Sequence, residues 1–375
     1  MRMTRSHRWW RAALLPVVFV ALLLPAEGGA AGGGEEQDVP EIGPLPPREA
    51  PDANLAELGK YLFFDEKLSG DATLSCATCH DPQKGWGDGL ALSLAYPGSK
   101  YFRNAKTLLN SVYARYFYWD GRLTGADKQT MVRDSITESH FLNLDGRIML
   151  ERLKQVPEYV EMFNQTQGGE PSFGRALNAV AAFLETVVSK NVPFDEGKRD
   201  TAQTRGLELF RGKAGCIRCH NGPYFSDGRA HAIGAPENPD VLGDPMRHFT
   251  MRSFFKFMGV AGFEVAREDV GYFVVTKENP DRGKFLTPTL RELTRTAPYM
   301  HNGMLPTLDE VVEFYDRGGG DAPNKDPLLV PLGLTDQEKQ ELMAFLRSLS
   351  GDEVVVARPD IPEYQLIADW LAVEN

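Results

Sequence analysis

The chain has 375 residues, 42% hydrophobic and 25% charged, a globular composition with length enough for two ordinary domains. Its formal charge is −11; cleavage after Ala26 would remove 4 basic and no acidic residues, leaving 37 basic against 52 acidic, or −15. That balance argues against nucleic acid as a partner and against general attraction to anionic membranes, and it suits an exported protein that meets small substrates or a basic patch on a partner.

The first element in chain order is a secretory signal. Arg2, Arg5, Arg8 and Arg11 precede an apolar run over 12–26 that Pro16 interrupts and small residues follow. The run is short for a bilayer span, so residues 1–26 read as a cleaved signal peptide rather than an anchor. This predicts a periplasmic protein with no stable membrane insertion after cleavage. Residues 27–53, rich in Gly, Pro and acids, read as a flexible leader. Leu55, Leu58, Leu62 and Phe63 then fall at helical spacing from Ala53 onward. Further helices are predicted over 147–163 and 173–190, with Gln167-Gly168-Gly169-Glu170-Pro171 as the turn between them and Asn191-Val192-Pro193 as the stop. A helix over 201–211 follows. Gly271-Tyr272-Phe273-Val274-Val275 has strand character, and 335–348 is an amphipathic helix with Thr335 as N-cap and Glu338 three residues on. The predicted class is mostly α.

The four cysteines carry the strongest chemical signal. All lie in Cys76-Ala77-Thr78-Cys79-His80 and Cys216-Ile217-Arg218-Cys219-His220. Two disulfides, a zinc site or a dithiol pair would be alternatives in an exported chain, but the adjacent His favours covalent haem c. Both thiols become thioethers, and His80 and His220 become iron ligands. The halves also echo each other. Gly59-Lys60-Tyr61-Leu62-Phe63 and Gly206-Leu207-Glu208-Leu209-Phe210 each precede a haem motif, and Thr107-Leu108 to Trp119-Asp120-Gly121 has the spacing of Thr289-Leu290 to His301-Asn302-Gly303. Two related cytochrome-c-like domains are expected, 54–198 and 199–375, each around one haem.

The remaining axial position on each iron decides function: a firm sixth ligand makes an electron-transfer haem, a weak or absent one a reactive haem. His140, His231, His248, His301, several Met and Tyr are candidates, and spacing alone does not choose among them. The chain resembles the bacterial di-haem cytochrome c peroxidase family, and more closely its MauG-like branch. The resemblance runs from about residue 55 to about 350. It rests on both haem motifs together with Gly59-Lys60-Tyr61-Leu62-Phe63-Phe64-Asp65, Phe102-Arg103-Asn104, Tyr118-Trp119-Asp120-Gly121-Arg122, Thr287-Pro288-Thr289-Leu290-Arg291 and Ala297-Pro298-Tyr299-Met300-His301-Asn302-Gly303.

The resemblance implies a peroxide-reacting haem on His80 and an electron-storing haem on His220. It places the displaceable ligand of the first haem near Tyr96, with no His between His80 and His140, so this haem is expected to be open or weakly capped. It places Tyr315 opposite the second haem, where peroxidases of the family carry Met; Met300 and Met304 are the alternatives. An anionic phenolate would favour ferric and higher iron over ferrous. Trp119 matches the relay tryptophan between the haems, and Asn104, Thr296 and Pro298 match an interdomain calcium site. Glu138 is the expected distal acid–base group, with Gln129 a pocket neighbour and His140 able to share the role. The implied activity is reaction with hydrogen peroxide and delivery of its oxidising equivalents, through the second haem, to a small redox protein or a protein substrate. A cytochrome c peroxidase with a small cytochrome as donor is the first alternative. A non-enzymatic electron-transfer cytochrome is the second.

Overall fold

The computed structural model describes residues 39–365. The predicted signal peptide, residues 27–38 of the leader and residues 366–375 lie outside them.

The expected helical class holds. Helix α1, Ala53–Phe64, starts where Asp52 accepts from the Leu55 N–H, a side-chain cap for an otherwise unpaired donor. α2, Cys76–Cys79, is the first haem motif itself. A two-stranded ribbon follows, β1 (Tyr116–Phe117) against β2 (Leu123–Thr124). α3 (Lys128–Thr137), α4 (Gly146–Lys154), α5 (Pro157–Gln167) and α6 (Phe173–Leu184) complete this half. α7 (Thr201–Arg211) leads to the second motif, and β3 (Ala230–His231) later pairs with β4 (Phe285–Leu286). Between them lie α8 (Pro239–Gly243), α9 (Pro245–Phe257) and α10 (Phe273–Thr276). α11 (Leu308–Asp316) and α12 (Asp336–Arg347) close the fold, α12 with the Thr335–Glu338 capping box that the sequence predicts.

Three expectations are corrected. The helix over 147–163 is two helices, because Pro157 cannot donate a helical hydrogen bond and instead opens α5 at its first turn. The helix predicted to 190 stops at Leu184. The Gly271–Val275 segment is not a strand: Gly271 makes one isolated bridge to Lys284, and Phe273 begins α10. The apolar run there buries Phe273 and Val274 in a core rather than along a sheet.

The leader is also held down from its first described residues. Pro40 and Gly43 accept from the Gly222 N–H and from Arg291, at 3.1 and 2.8 Å, and Pro46 accepts from the Tyr113 hydroxyl at 2.9 Å. Ile42 is buried in the core of the second half. The opposite crossing occurs at the other end, where Val354, Val356, Ile361 and Tyr364 pack on the core of the first half.

The internal echo has a structural counterpart. α1 packs against α6, and α7 against α12. At each crossing the echoed glycine lies against backbone. A Cβ on Gly59 would sit 1.9 Å from the Ala179 carbonyl oxygen, and one on Gly206 would sit 2.0 Å from that of Glu341. Each glycine lets two helices approach more closely than any side chain would allow. In each half the haem motif follows the glycine's helix in the chain, at Cys76 after α1 and at Cys216 after α7.

Candidate haem sites and the wall between them

In the first motif a single helical turn gathers the ligands. The His80 N–H donates to the Cys76 carbonyl at 3.0 Å, and the Thr78 hydroxyl accepts from the Ser75 N–H at 3.0 Å. Cys76, Cys79 and His80 then face one cavity. The second motif repeats this with the His220 N–H on Cys216 at 2.9 Å, and Cys216, Cys219 and His220 face a second cavity. Burial pushes the Cys76 and Cys216 thiols up to about 12 and Cys79 to about 11, so these thiols are protonated at neutral pH.

Each imidazole is oriented by a backbone carbonyl. His80 Nδ1 lies 3.0 Å from the Trp86 oxygen, and His220 Nδ1 lies 3.1 Å from the Phe225 oxygen. This assigns the N–H to Nδ1 and leaves Nε2 as a lone-pair donor toward the cavity, the arrangement a metal-ligating imidazole needs. Burial lowers both rings from their ordinary value, His220 to about 4, which keeps them neutral and able to ligate. Trp86 and Phe225 adopt φ of +61° and +55° while fully buried. Bulky residues seldom accept that conformation. Both do so where their carbonyl turns back onto the ligand imidazole. Neither residue stands out in the sequence, because no local motif marks it.

The residues fit covalent haem on every count available here. At each site the two thiols and the imidazole of one motif line a single, mostly apolar cavity.

α11 contributes Tyr315 to the wall of the second cavity. Burial raises this phenol strongly, with the two cysteines of the motif adding to the effect. A phenol so placed ionises only beside a cation such as ligated iron. Met300 and His301 line the same cavity, whereas Met304 does not. His301 is stacked on Phe285, ring centroids 3.6 Å apart, and its Nε2 has no hydrogen-bond partner. His231 also lines this cavity, but both its ring nitrogens are engaged, and His248 lies outside it. His231 lies between Asp227 (2.9 Å) and Asp326 (2.6 Å), and His248 meets the Ala266 carbonyl at 2.8 Å.

The two cavities share a wall that includes Asn104, Lys106, Trp119 and Tyr224. Trp119 Nε1 donates to the Asn104 carbonyl at 3.0 Å, which fixes the indole edge toward that loop. Lys106 Nζ stands 5.2 Å from the centre of the indole. Burial lowers the Lys106 ammonium to about 8, with Asp120 pulling the other way.

Residues 53–203 match the family model described as di-haem cytochrome c peroxidase. A cytochrome-c peroxidase, IdrP2, of Denitromonas iodatirespirans is 49% identical over 87% of this chain and 89% of its own length. The methylamine utilization protein MauG of Methylorubrum extorquens is 33% identical over 86% and 84%. Among solved structures, a MauG-like protein associated with microbial copper homeostasis superposes with a TM-score of 0.68 at 25% identity, covering 86% of this chain and 96% of its own. The chain belongs to the di-haem cytochrome c peroxidase family. It is an oxidoreductase of the di-haem peroxidase type, and the family implies two haem c. The expectation of a closer tie to MauG is revised: by identity, the named peroxidase stands nearer.

The remaining family-derived expectations fare unevenly. Gln129 is exposed and absent from the first cavity wall. It sits on α3 away from the face that presents Met131, Val132 and Ser135 to the cavity, a consequence of the 100° helical step. Tyr96 also lies outside that wall, its hydroxyl against Gly70. Glu138 caps the end of α3 one layer back. Its Oε2 is 3.0 Å from His140 Nε2 and 3.5 Å from Arg122 Nη2. Tyr101 and Tyr118 stand in front and do line the cavity. Tyr101 stacks on His140 with centroids 5.3 Å apart, and the Arg122 guanidinium lies 3.4 Å over the Tyr118 ring. Burial pushes the Tyr101 phenol up to about 12 and raises Tyr118 further, so both remain proton donors at neutral pH. These two tyrosines were missed in the sequence. Tyr118 directly precedes Trp119, and its position in that motif was the available signal.

Asn104, Thr296 and Pro298 all line the second cavity. Asn104 Nδ2 donates to Leu90 at 2.8 Å, leaving its side-chain oxygen turned away from that bond. Among the described residues no donor reaches that oxygen or the Thr296 and Pro298 carbonyls. Three unused oxygens suit a hard cation such as calcium.

Proposed function

We propose that this chain is an exported, periplasmic di-haem c oxidoreductase. In this reading hydrogen peroxide reacts at the His80 side, and its oxidising equivalents pass through the His220 side to a protein donor or protein substrate. Two halves, 54–198 and 199–375, each hold one haem; the echoed helix crossings support the division, although Val192 and Phe194 already belong to the second core and a third cluster joins Tyr101 and Phe102 to α9 and α10. The observation that carries the reading is Trp119, one indole in the wall of both cavities.

When bound, the haems supply the redox-active iron that takes up the two oxidising equivalents of peroxide. The chain's own groups do the rest. Tyr101 and Tyr118 hold protons at the first cavity, and Glu138 with His140 and Arg122 stands behind them as the acid–base reserve for O–O cleavage. Trp119 passes an electron from the second side to the first. Tyr315, in the same cavity wall as His220, would offer its phenol oxygen to the iron, which would favour ferric and higher oxidation states. Asn104, Thr296 and Pro298, which line the second cavity, would hold calcium. The donor is a small redox protein or a protein substrate. The 49% identity to a named peroxidase supports peroxide as oxidant and gives weight to a small cytochrome as donor.

The test adds peroxide to the diferric protein and follows both haems, with and without a reduced small cytochrome. Response at both haems is expected. Persistence of the oxidised form without donor favours a protein substrate, and rapid turnover with the cytochrome favours the peroxidase. If neither haem responded, the enzyme reading would fail and an electron-transfer cytochrome would replace it.

A further inference from the structure

The shared wall contains a cation that the fold leaves unspent. Three basic side chains gather around Asp120. Arg103 is held by Asp120 and by both oxygens of Asp269, at 2.6 and 2.8 Å. Arg122 is held by Asp120 at 3.1 Å and by Glu138. Asp120 is therefore already shared between two guanidiniums. Lys106 differs from both: among the described residues no carboxylate lies within 4 Å of its Nζ, and its nearest named neighbour is the face of Trp119. Lys106 is only half-buried, and an ammonium with no carboxylate beside it keeps its charge free for an anion. This one lines both cavities, so an anion bound in either would meet it.

Haem brings such anions. Its two carboxylates lie on the edge of the macrocycle away from the vinyl carbons that a Cys-x-x-Cys-His motif captures. Lys106 stands in the wall common to both motif-bearing cavities, where such carboxylates would meet it. We propose that Lys106 is the fixed counter-cation for haem carboxylates in the wall common to both cavities, and that its charge holds the reduction potentials of both haems up. A positive charge near an iron favours the ferrous state over the ferric, and in a low-dielectric wall the effect reaches both sites. The same ammonium stands over the Trp119 ring, whose electron-rich face attracts it. It opposes a positive charge on the indole, so the ring conducts an electron without retaining the hole.

The inference rests on the two-haem reading, and a haem count checks that reading separately. The holoproteins to compare are wild type, Lys106→Met and Lys106→Arg, each assayed for covalent haem and then titrated by spectroelectrochemistry at fixed calcium. Two haems per chain are expected in all three. Both potentials should fall in Lys106→Met and return toward wild type in Lys106→Arg. Unchanged potentials in Lys106→Met, an equal fall in Lys106→Arg, or a fall at one haem alone would overturn the proposal. If Lys106→Met fails to mature, Lys106→Gln takes its place under the same outcomes.

Discussion

The two haem segments are built alike and surrounded differently. Both follow a helix whose glycine lies against another helix's backbone, and both hold the ligand imidazole by a carbonyl from a buried positive-φ residue. The walls facing them diverge. The first cavity is met by Tyr101 and Tyr118, phenols backed by an acid–base cluster; the second is met by Tyr315, Met300 and His301. Attachment chemistry is thus held constant while the facing side chains differ, and the proposed reading gives peroxide to the first site and electron storage to the second. Site chemistry, rather than fold, separates the two roles.

That comparison can be broken most severely at the cysteines. Cys79→Ser should lose the first haem and keep the second, and Cys219→Ser the reverse, read as half the haem stain with one surviving α-band. Loss of both haems from either variant would mean that the halves do not mature independently. The symmetry of the scaffold predicts a smaller, matched effect. Gly59→Ala and Gly206→Ala each force a methyl into backbone at 1.9 and 2.0 Å, and each should destabilise the chain by about 1 to 3 kcal/mol in denaturant unfolding. A large cost at one glycine and none at the other would remove the parallel.

Tyr315→Phe sharpens the asymmetry. It should alter the electron paramagnetic resonance and reduced spectrum of the second haem alone; an unchanged second haem would pass the ligand role to Met300. Trp119→Phe is the subtlest. It deletes the 3.0 Å bond to Asn104 and the oxidisable indole, so both haems should remain while peroxide-driven oxidation of the second slows at least tenfold in stopped flow. Equal rates would place the path elsewhere in the shared wall, where Tyr224 is the other aromatic side chain.

Legibility in the sequence followed range. α1, α7 and α12 were readable because apolar spacing and caps such as Thr335 with Glu338 are local. The break at Pro157 was equally local and was passed over. The Gly271 segment misled because β-branched and aromatic residues can fill a helical core as readily as a strand. Trp119 and Tyr315 came from motif resemblance, and both lie in cavity walls, whereas Gln129 came the same way and faces solvent.

By itself, the sequence determined the haem chemistry, since two thiols and an imidazole within five residues need only one turn of backbone to converge. It also determined the helical class. Tertiary structure decided what stands across from each imidazole and what stands between the two cavities. Three segments, carrying Tyr101 with Lys106, Tyr118 with Trp119, and Tyr315, are brought together by helix crossings and a buried ion network. Contacts across such sequence distances depend on how the whole core packs, and no local spacing encodes them.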